Sequence, residues 1–187
     1  MHDDLKQALE VLRNGGIILY PTDTIWGIGC DATNADAVKR IYELKQRADS
    51  KSMLVLLDNT AKLGGYVNDI PEVAYDMAEL TTKPLTIIYD DAKNLAANLL
   101  AEDGSVGIRI TDEQFSKELC ARFKKPVVST SANISGEPSP KHFGDVSEAV
   151  KSGVDYIVNF RQEETDNPAP SSIIKLAKDG QVTIIRE

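Results

Sequence analysis

Hydroxyl and cationic side chains gather in a few short segments of this chain. The longest runs from Lys125 to Pro140, KPVVSTSANISGEPSP, where the apolar stretch Pro126-Val127-Val128 gives way to Ser129, Thr130 and Ser131, then Asn133, Ser135, Gly136 and Ser139. The apolar part reads as the end of a buried strand, and the polar part as the loop after it. Hydroxyls donate and accept, and Gly136 permits backbone geometries closed to other residues, so the loop suits a polar ligand. A Ser/Gly-rich surface turn has the same composition, and both readings stand on this segment alone.

Cations mark the next cluster, Lys45-Gln46-Arg47-Ala48-Asp49-Ser50-Lys51, at the exit of an expected helix. They offset the helix macrodipole, or they clamp a phosphate, with Arg47 as a planar fork and Lys45 and Lys51 as mobile point charges. In Ser105-Val106-Gly107-Ile108-Arg109, alternation along a strand puts Arg109 on the face of Gly107 and Ser105. Thr22 and Thr24, in PTDTIWGIGCDA, follow a strand and would face the crevice where open α/β sheets bind ligands. The plainer reading there is a tight turn between strands, with Asp23 bonding its own backbone and Trp26 anchoring the core. Ser171 precedes a late strand and Arg186 closes another. Neither G-x-x-x-x-G-K-[ST] nor a G-x-G-x-x-G between strand and helix occurs, so a nucleotide site here would have to be of another design.

The elements that must position these groups alternate between helical and extended periods. Asp3 or Asp4 is expected to cap a helix with Leu5, Ala8, Leu9 and Leu12 inward, ended by Gly15-Gly16. A strand at Ile17 to Tyr20 follows, then a helix from Asn34, and the strand Met53 to Leu57. Helical stretches are expected at 60–63, 71–80, 112–123 and 145–151, and strands at 85–89, 106–110, 127–128 and 156–158. Residues 162–170 read as a mobile loop. Two final strands, 172–176 and 181–185, flank Asp179-Gly180, a two-residue hairpin signal. The fold class is therefore α/β with a mixed sheet, expected as one domain over 1–187.

Composition bounds the function. Hydrophobic residues at 42% and charged residues at 27% are those of a water-soluble domain, and no stretch approaches the ~20 apolar residues that span a bilayer. The acidic, amphipathic start lacks a secretion signal's basic head and apolar centre. Two separated cysteines and two histidines form no structural zinc pattern, so a reduced cytoplasm is expected. Twenty-one basic against twenty-nine acidic residues give a net charge of −8, which disfavours indiscriminate nucleic-acid binding. A local basic site remains open, with Lys39, Arg40, Lys45, Arg47 and Lys51 as its cations.

Taken in order and spacing, PTDTIWGIGCDA, KQRADSK, SVGIR, STSANISGEPSP, PSSIIK and Arg186 resemble the YrdC-type L-threonylcarbamoyladenylate synthases, in their short single-domain form. The resemblance covers about Gly15 to Arg186 and implies an open twisted mixed sheet, flanked by helices, around a large concave cationic cavity. It implies condensation of L-threonine, bicarbonate and ATP, with Mg2+, into threonylcarbamoyl-AMP and pyrophosphate. That product passes to partner proteins that modify a tRNA adenosine. By similarity Arg47, Lys51, Ser105, Ser131, Ser139 and Arg186 would contact ATP, and Thr24, Arg109, Ser129 and Ser171 would hold threonine. Lys45 and Thr22 would line the same cavity, Asn133 would shape the loop, and no residue is assigned as nucleophile or metal ligand. This chain has Ala48 where the family commonly has Pro, Ser52-Met53 where Pro or Gly and then Leu are usual, Ser172 for Thr, and Trp26 for Tyr or Phe. Other readings are a YciO-like paralogue, an RNA-binding module, or an adenylate-forming enzyme acting on another amino acid. Retention of both Lys45-x-Arg47 and Ser131-Ala132-Asn133 favours the synthase.

Overall fold

A computed structural model describes residues 1–46, 53–166 and 168–187; the expected ATP contacts Arg47 and Lys51 lie outside them. Helix α1 spans His2–Arg13. Neither Asp3 nor Asp4 caps it: Met1 occupies that position and the Asp4 carboxylate is turned inward. Its Oδ1 accepts from Tyr156 Oη at 2.7 Å, the Asn159 main-chain N at 2.9 Å and Asn159 Nδ2 at 3.0 Å. Three donors outcompete the helix's own first N–H groups for this oxygen, and they tie α1 to the chain's second half.

Strand β1, Ile18–Tyr20, is followed by β2, Gly27–Gly29, a strand where the sequence suggests only a turn. Its glycines are poor strand formers, but Gly29 cannot carry a side chain, since a Cβ there would stand 2.6 Å from the Tyr20 ring and 2.7 Å from the Val128 carbonyl. Helix α2, Ala35–Lys45, starts at Asn34, whose Oδ1 accepts from the N–H groups of Asp36 and Ala37 at 3.0 and 3.1 Å. Then come β3 at Leu54–Leu57, a 3₁₀ turn at Thr60–Gly65, α3 at Val73–Leu80, β4 at Leu85–Tyr89 and β5 at Val106–Ile110. Helix α4, Gln114–Phe123, is capped by the Glu113 carboxylate, which accepts from Phe115 and Ser116. Strand β6 runs Val127–Ser131, three residues beyond its apolar stretch. After α5, Glu148–Gly153, and β7, Tyr156–Ile157, residues 162–166 and 168–170 lead without helix or strand to β8, Ser172–Leu176. The last strand, β9, is Val182–Arg186. Its hairpin loop has three residues instead of two: Ala177 N donates to Gln181 O, and Gly180 supplies the left-handed residue at φ +86°.

Among the described residues nine strands form one sheet in the order β7-β1-β2-β6-β3-β5-β4-β8-β9. β1–β7, β3–β5 and β4–β8 are parallel pairs and the other neighbours antiparallel. Period-two alternation sends Leu19, Val55, Leu57, Ile87, Ile108, Val128 and Ile174 to the face packed with Val38, Ile41 and Tyr42 of α2. Ile18, Tyr20, Leu56 and Val127 go to the other face, beneath Leu5, Leu9 and Leu12 of α1 and Phe115 and Leu119 of α4. Each such leucine or phenylalanine, once buried, stabilises the fold by roughly 1.5–3 kcal/mol. That second face is apolar where α1 and α4 lie on it. Farther along it, Ser129, Gly107, Arg109 and Thr86 replace the apolar residues, and there the sheet opens into a cavity.

Candidate active site

The cavity holds about 290 Å³ and is walled by β2, β3, β4, β5, β6, β8 and β9, the segments that follow β1 and β6, and the residues just before β3 and β8. Of the expected site residues, Thr24, Arg109, Ser129, Ser131, Ser139, Ser171 and Arg186 all line it, brought together from positions up to 162 residues apart. Ile25, Trp26, Met53, Leu54, Ile88 and Ile173 supply its apolar wall. Trp26 serves both as cavity wall and as core anchor, stacked obliquely on Phe143 with ring centroids 4.8 Å apart.

Register explains the convergence. Arg109 lies beside Leu56 of β3 and Thr86 of β4, and Leu54 pairs with Ser129, so these side chains form adjacent rows on one face. At Gly107 a Cβ would meet Thr86 Cγ2 at 3.2 Å and Leu54 Cβ at 3.4 Å. A β-bulge between β8 and β9, where Ile173 pairs with Arg186 but Ile174 with Ile184, shifts the end of β9. Bulges of this kind re-aim side chains near sites, and here Arg186 lies over Ser171. Its Nε and Nη2 donate to the Ser171 carbonyl at 3.0 and 2.7 Å. Ser171 Oγ in turn shares a 2.9 Å hydrogen bond with Thr86 Oγ1.

Arg109 is 3% exposed. Its Nη2 lies 3.0 Å from Asp23 Oδ1 and 3.4 Å from Thr24 Oγ1, while its buried Nε has no hydrogen-bond partner among the described residues. The 3.0 Å approach to Asp23 is an ion-pair distance without hydrogen-bond alignment, for Oδ1 is likewise unbonded. Burial raises the Asp23 carboxyl above its ordinary pKa despite the opposing pull of Arg109. Arg186 is shifted downward, first by burial and then by repulsion from Arg109, so two guanidinium groups share a cavity that an anion would relieve.

Three of the expected residues lie off this wall. Ser105 shares the strand parity of Arg109 but is absent from the cavity wall, because Asp103 captures it: Ser105 Oγ and N both donate to Asp103 Oδ1, at 2.6 and 3.0 Å. Thr22 lies in a smaller adjoining pocket with Arg161 and His142, its hydroxyl donating to the Ile25 carbonyl at 2.7 Å. Lys45 is also not on the wall. It is 1% exposed and its Nζ donates to the main-chain carbonyls of Ser131 and Asn133, fastening the loop that carries Ser139. Asn133 shapes that loop as expected, its Nδ2 donating to the carbonyls of Ile134 and Glu137 at 3.0 and 2.8 Å. Sequence reasoning missed Asp23 as the partner of Arg109, and it missed Thr86. A lone threonine inside the apolar strand LTIIY was the available signal for the latter.

Cys30 and Cys120 are buried free thiols whose pKa values burial pushes far up, which removes them as nucleophiles. Among the described residues no group of three His, Cys, Asp or Glu could hold a metal, and no helix is long and apolar enough to cross a membrane.

The Sua5/YciO/YrdC family model, described as telomere recombination, matches residues 10–187. A curated relative from Pseudoalteromonas translucida, named threonylcarbamoyl-AMP synthase, is 33% identical over 181 residues, covering 95% of each chain. Sua5 of P. abyssi complexed with L-threonine superposes with a TM-score of 0.86 at 24% identity, covering 97% of this chain and 53% of that one. This chain thus spans about half of that protein's length. YciO of E. coli matches with a TM-score of 0.85 at 24% identity, over 100% of this chain and 90% of that one. At that identity the two structures establish the shared open mixed-sheet fold.

Proposed function

The chain belongs to the Sua5/YciO/YrdC family, and on that premise we propose that it is an L-threonylcarbamoyladenylate synthase, a nucleotidyltransferase that condenses L-threonine, bicarbonate and ATP and releases pyrophosphate. The observation that carries the reading is the buried Arg109 guanidinium on the cavity wall, with its Nε unpartnered among the described residues. A buried, unsatisfied donor on a cation is costly, and a carboxylate from the substrate would satisfy it. Thr24, 3.4 Å from Arg109, brings a hydroxyl to the same cavity, as do Ser129 and Ser171, and Arg186, Ser131 and Ser139 on its wall would serve as contacts for the nucleotide. Arg47 and Lys51, assigned from sequence alone, would complete the phosphate contacts.

The chemistry asks the protein for positioning and charge. The threonine amine, in its neutral form, bonds to the bicarbonate carbon as one carbon–oxygen bond breaks; the departing hydroxide takes a proton from the nitrogen and leaves as water, which makes a carbamate. A carbamate oxygen then bonds to the α-phosphorus as the bridge to the β-phosphate breaks, and pyrophosphate leaves with the electron pair. Arg109 fixes the amino acid by its carboxylate, and Arg186 meets negative charge on the triphosphate; both act without a protein nucleophile. Magnesium would accompany the triphosphate, because it usually keeps several waters and binds through substrate phosphates. The product would be handed to proteins that modify a tRNA adenosine, in the cytoplasm. Retention of Lys45-x-Arg47 and Ser131-Ala132-Asn133 supports the synthase over a YciO-like activity, and Lys45 holds the main chain of the second element through the carbonyls of Ser131 and Asn133.

Purified protein incubated with ATP, Mg2+, bicarbonate and L-threonine is expected to release pyrophosphate only when threonine is present. Folded protein that releases none, or releases it equally without threonine, contradicts the proposal.

A further inference from the structure

Asp23 stands behind the cavity wall, paired with the wall residue Arg109 and next in sequence to the wall residue Thr24, and has no part in the reading above. A guanidinium as buried as that of Arg109 needs a compensating anion, and Asp23 Oδ1 at 3.0 Å is its ion-pair partner among the described residues. The pairing is incomplete on both sides, since Arg109 Nε and Asp23 Oδ1 each lack a hydrogen bond there. Asp23 therefore neutralises the cation without occupying its last donor. The other charges near Asp23 do not duplicate it. Glu113 is engaged by Arg161 at 3.2 Å and by the start of α4, Asp112 by Lys117 at 2.6 Å, and Arg186 adds a second cation to the cavity. Without Asp23 this end of the cavity would present two cations, and it would favour any small anion. With it, the site carries one negative and two positive charges, and an amino acid can set its carboxylate by Arg109 and its ammonium on the side of Asp23.

Resting on the synthase reading, we propose that Asp23 is a specificity-determining residue: it holds Arg109 in a half-satisfied ion pair, and so makes the subsite accept a zwitterionic amino acid and reject the same skeleton as a simple anion. The probe is a pair of ligands, L-threonine and 2,3-dihydroxybutanoate, in which a hydroxyl replaces the ammonium. Both are titrated calorimetrically into the wild-type chain, Asp23→Asn and Asp23→Glu, with folding checked by thermal melting and by ATP binding. The wild type is expected to prefer threonine by roughly a hundredfold or more, and Asp23→Asn to bind threonine at least roughly tenfold more weakly while the hydroxy acid holds or gains, so the preference collapses. Asp23→Glu keeps the charge and is expected to keep most of the preference, a readout that survives if the Asn variant fails to fold. A folded Asn variant with the wild-type preference overturns the inference, as does a Glu variant that discriminates no better than Asn. Wild type that binds both ligands equally overturns it too and leaves the synthase reading standing, whereas wild type that binds no threonine removes that reading itself.

Discussion

The buried Lys45 ammonium donates to the main-chain carbonyl of Asn133 at 2.7 Å and also to that of Ser131, so the last residue of α2 is bonded to the loop following β6. The Lys45 carbonyl accepts in return from the Ser135 N–H at 2.8 Å. This lysine braces the site and does not line it. Lys45→Met keeps the stem's volume but strands two carbonyls, and is expected to cost about 2–4 kcal/mol in urea unfolding. The ATP requirement should rise along with it, because Ser139 stands on the loop that is released. Unchanged stability and kinetics would mean that the loop holds itself.

Arg186 of β9, Ser171 just before β8, Thr86 of β4 and Arg109 of β5 form a chain of neighbours along the cavity. Arg186→Lys loses the two-pronged grip on the Ser171 carbonyl. It is expected to raise the KM for ATP roughly tenfold and that for threonine a fewfold. Thr86→Val, which removes only the hydroxyl bonded to Ser171, should raise the threonine KM a fewfold and leave ATP untouched. Steady-state kinetics varying one substrate at a time separate the two patterns.

Gly29 tests packing apart from chemistry. In Gly29→Ala the new methyl would meet Tyr20 Cε1 at 2.6 Å and the Val128 carbonyl at 2.7 Å, while Tyr20 Oη donates to that same carbonyl at 3.0 Å. Backbone on one side and a fully buried ring on the other leave little room to yield. A loss of roughly 1–3 kcal/mol is expected, with KM values close to wild type in the folded fraction. A melting temperature equal to wild type would count against this packing.

Acid should weaken the junction between α1 and the loop after β7. Burial raises the Asp4 pKa, but hydrogen bonds from Asn159 N, Tyr156 and Asn159 Nδ2 outweigh it, so the folded value lies below the ordinary 3.8. A depressed carboxylate pKa stabilises the fold above the unfolded value, and that contribution disappears as pH falls through the folded one. Asp155 behaves alike, lowered chiefly by its hydrogen bond from Arg40, with a further bond from the Ile17 N–H. Denaturation at pH 7 and at pH 3 is expected to show a stability loss in the wild type that Asp4→Asn shows to a smaller degree.

Helices with apolar residues at 3.6 spacing, such as α1, α2 and α4, were legible in the sequence because burial alone dictates their pattern. β2 was not, since Gly27-Ile28-Gly29 becomes a strand only through the partners that flank it on both edges. The polar half of β6 was hidden for a related reason: Ser129 and Ser131 end a strand whose outer face meets a cavity instead of a helix. Residue type pointed to Arg109, Arg186, Ser129, Ser131, Ser139 and Ser171, which the fold places on one cavity wall, whereas Asp23 and Thr86 depend on strand register and on burial of a neighbour's charge. Ser105 shows the converse, for its parity was right and a local bond to Asp103 drew the hydroxyl away.

Isotope tracing probes the whole reaction at once. With carbon-labelled bicarbonate, separately labelled L-threonine, Mg2+ and ATP, the folded enzyme should yield one nucleotide product that carries both labels and an AMP group, together with pyrophosphate. Its formation should be lost in Arg109→Ala at low threonine and recovered in part at high threonine. A wild-type preparation that binds ATP and threonine but never places both labels in one AMP-containing product would contradict the assignment.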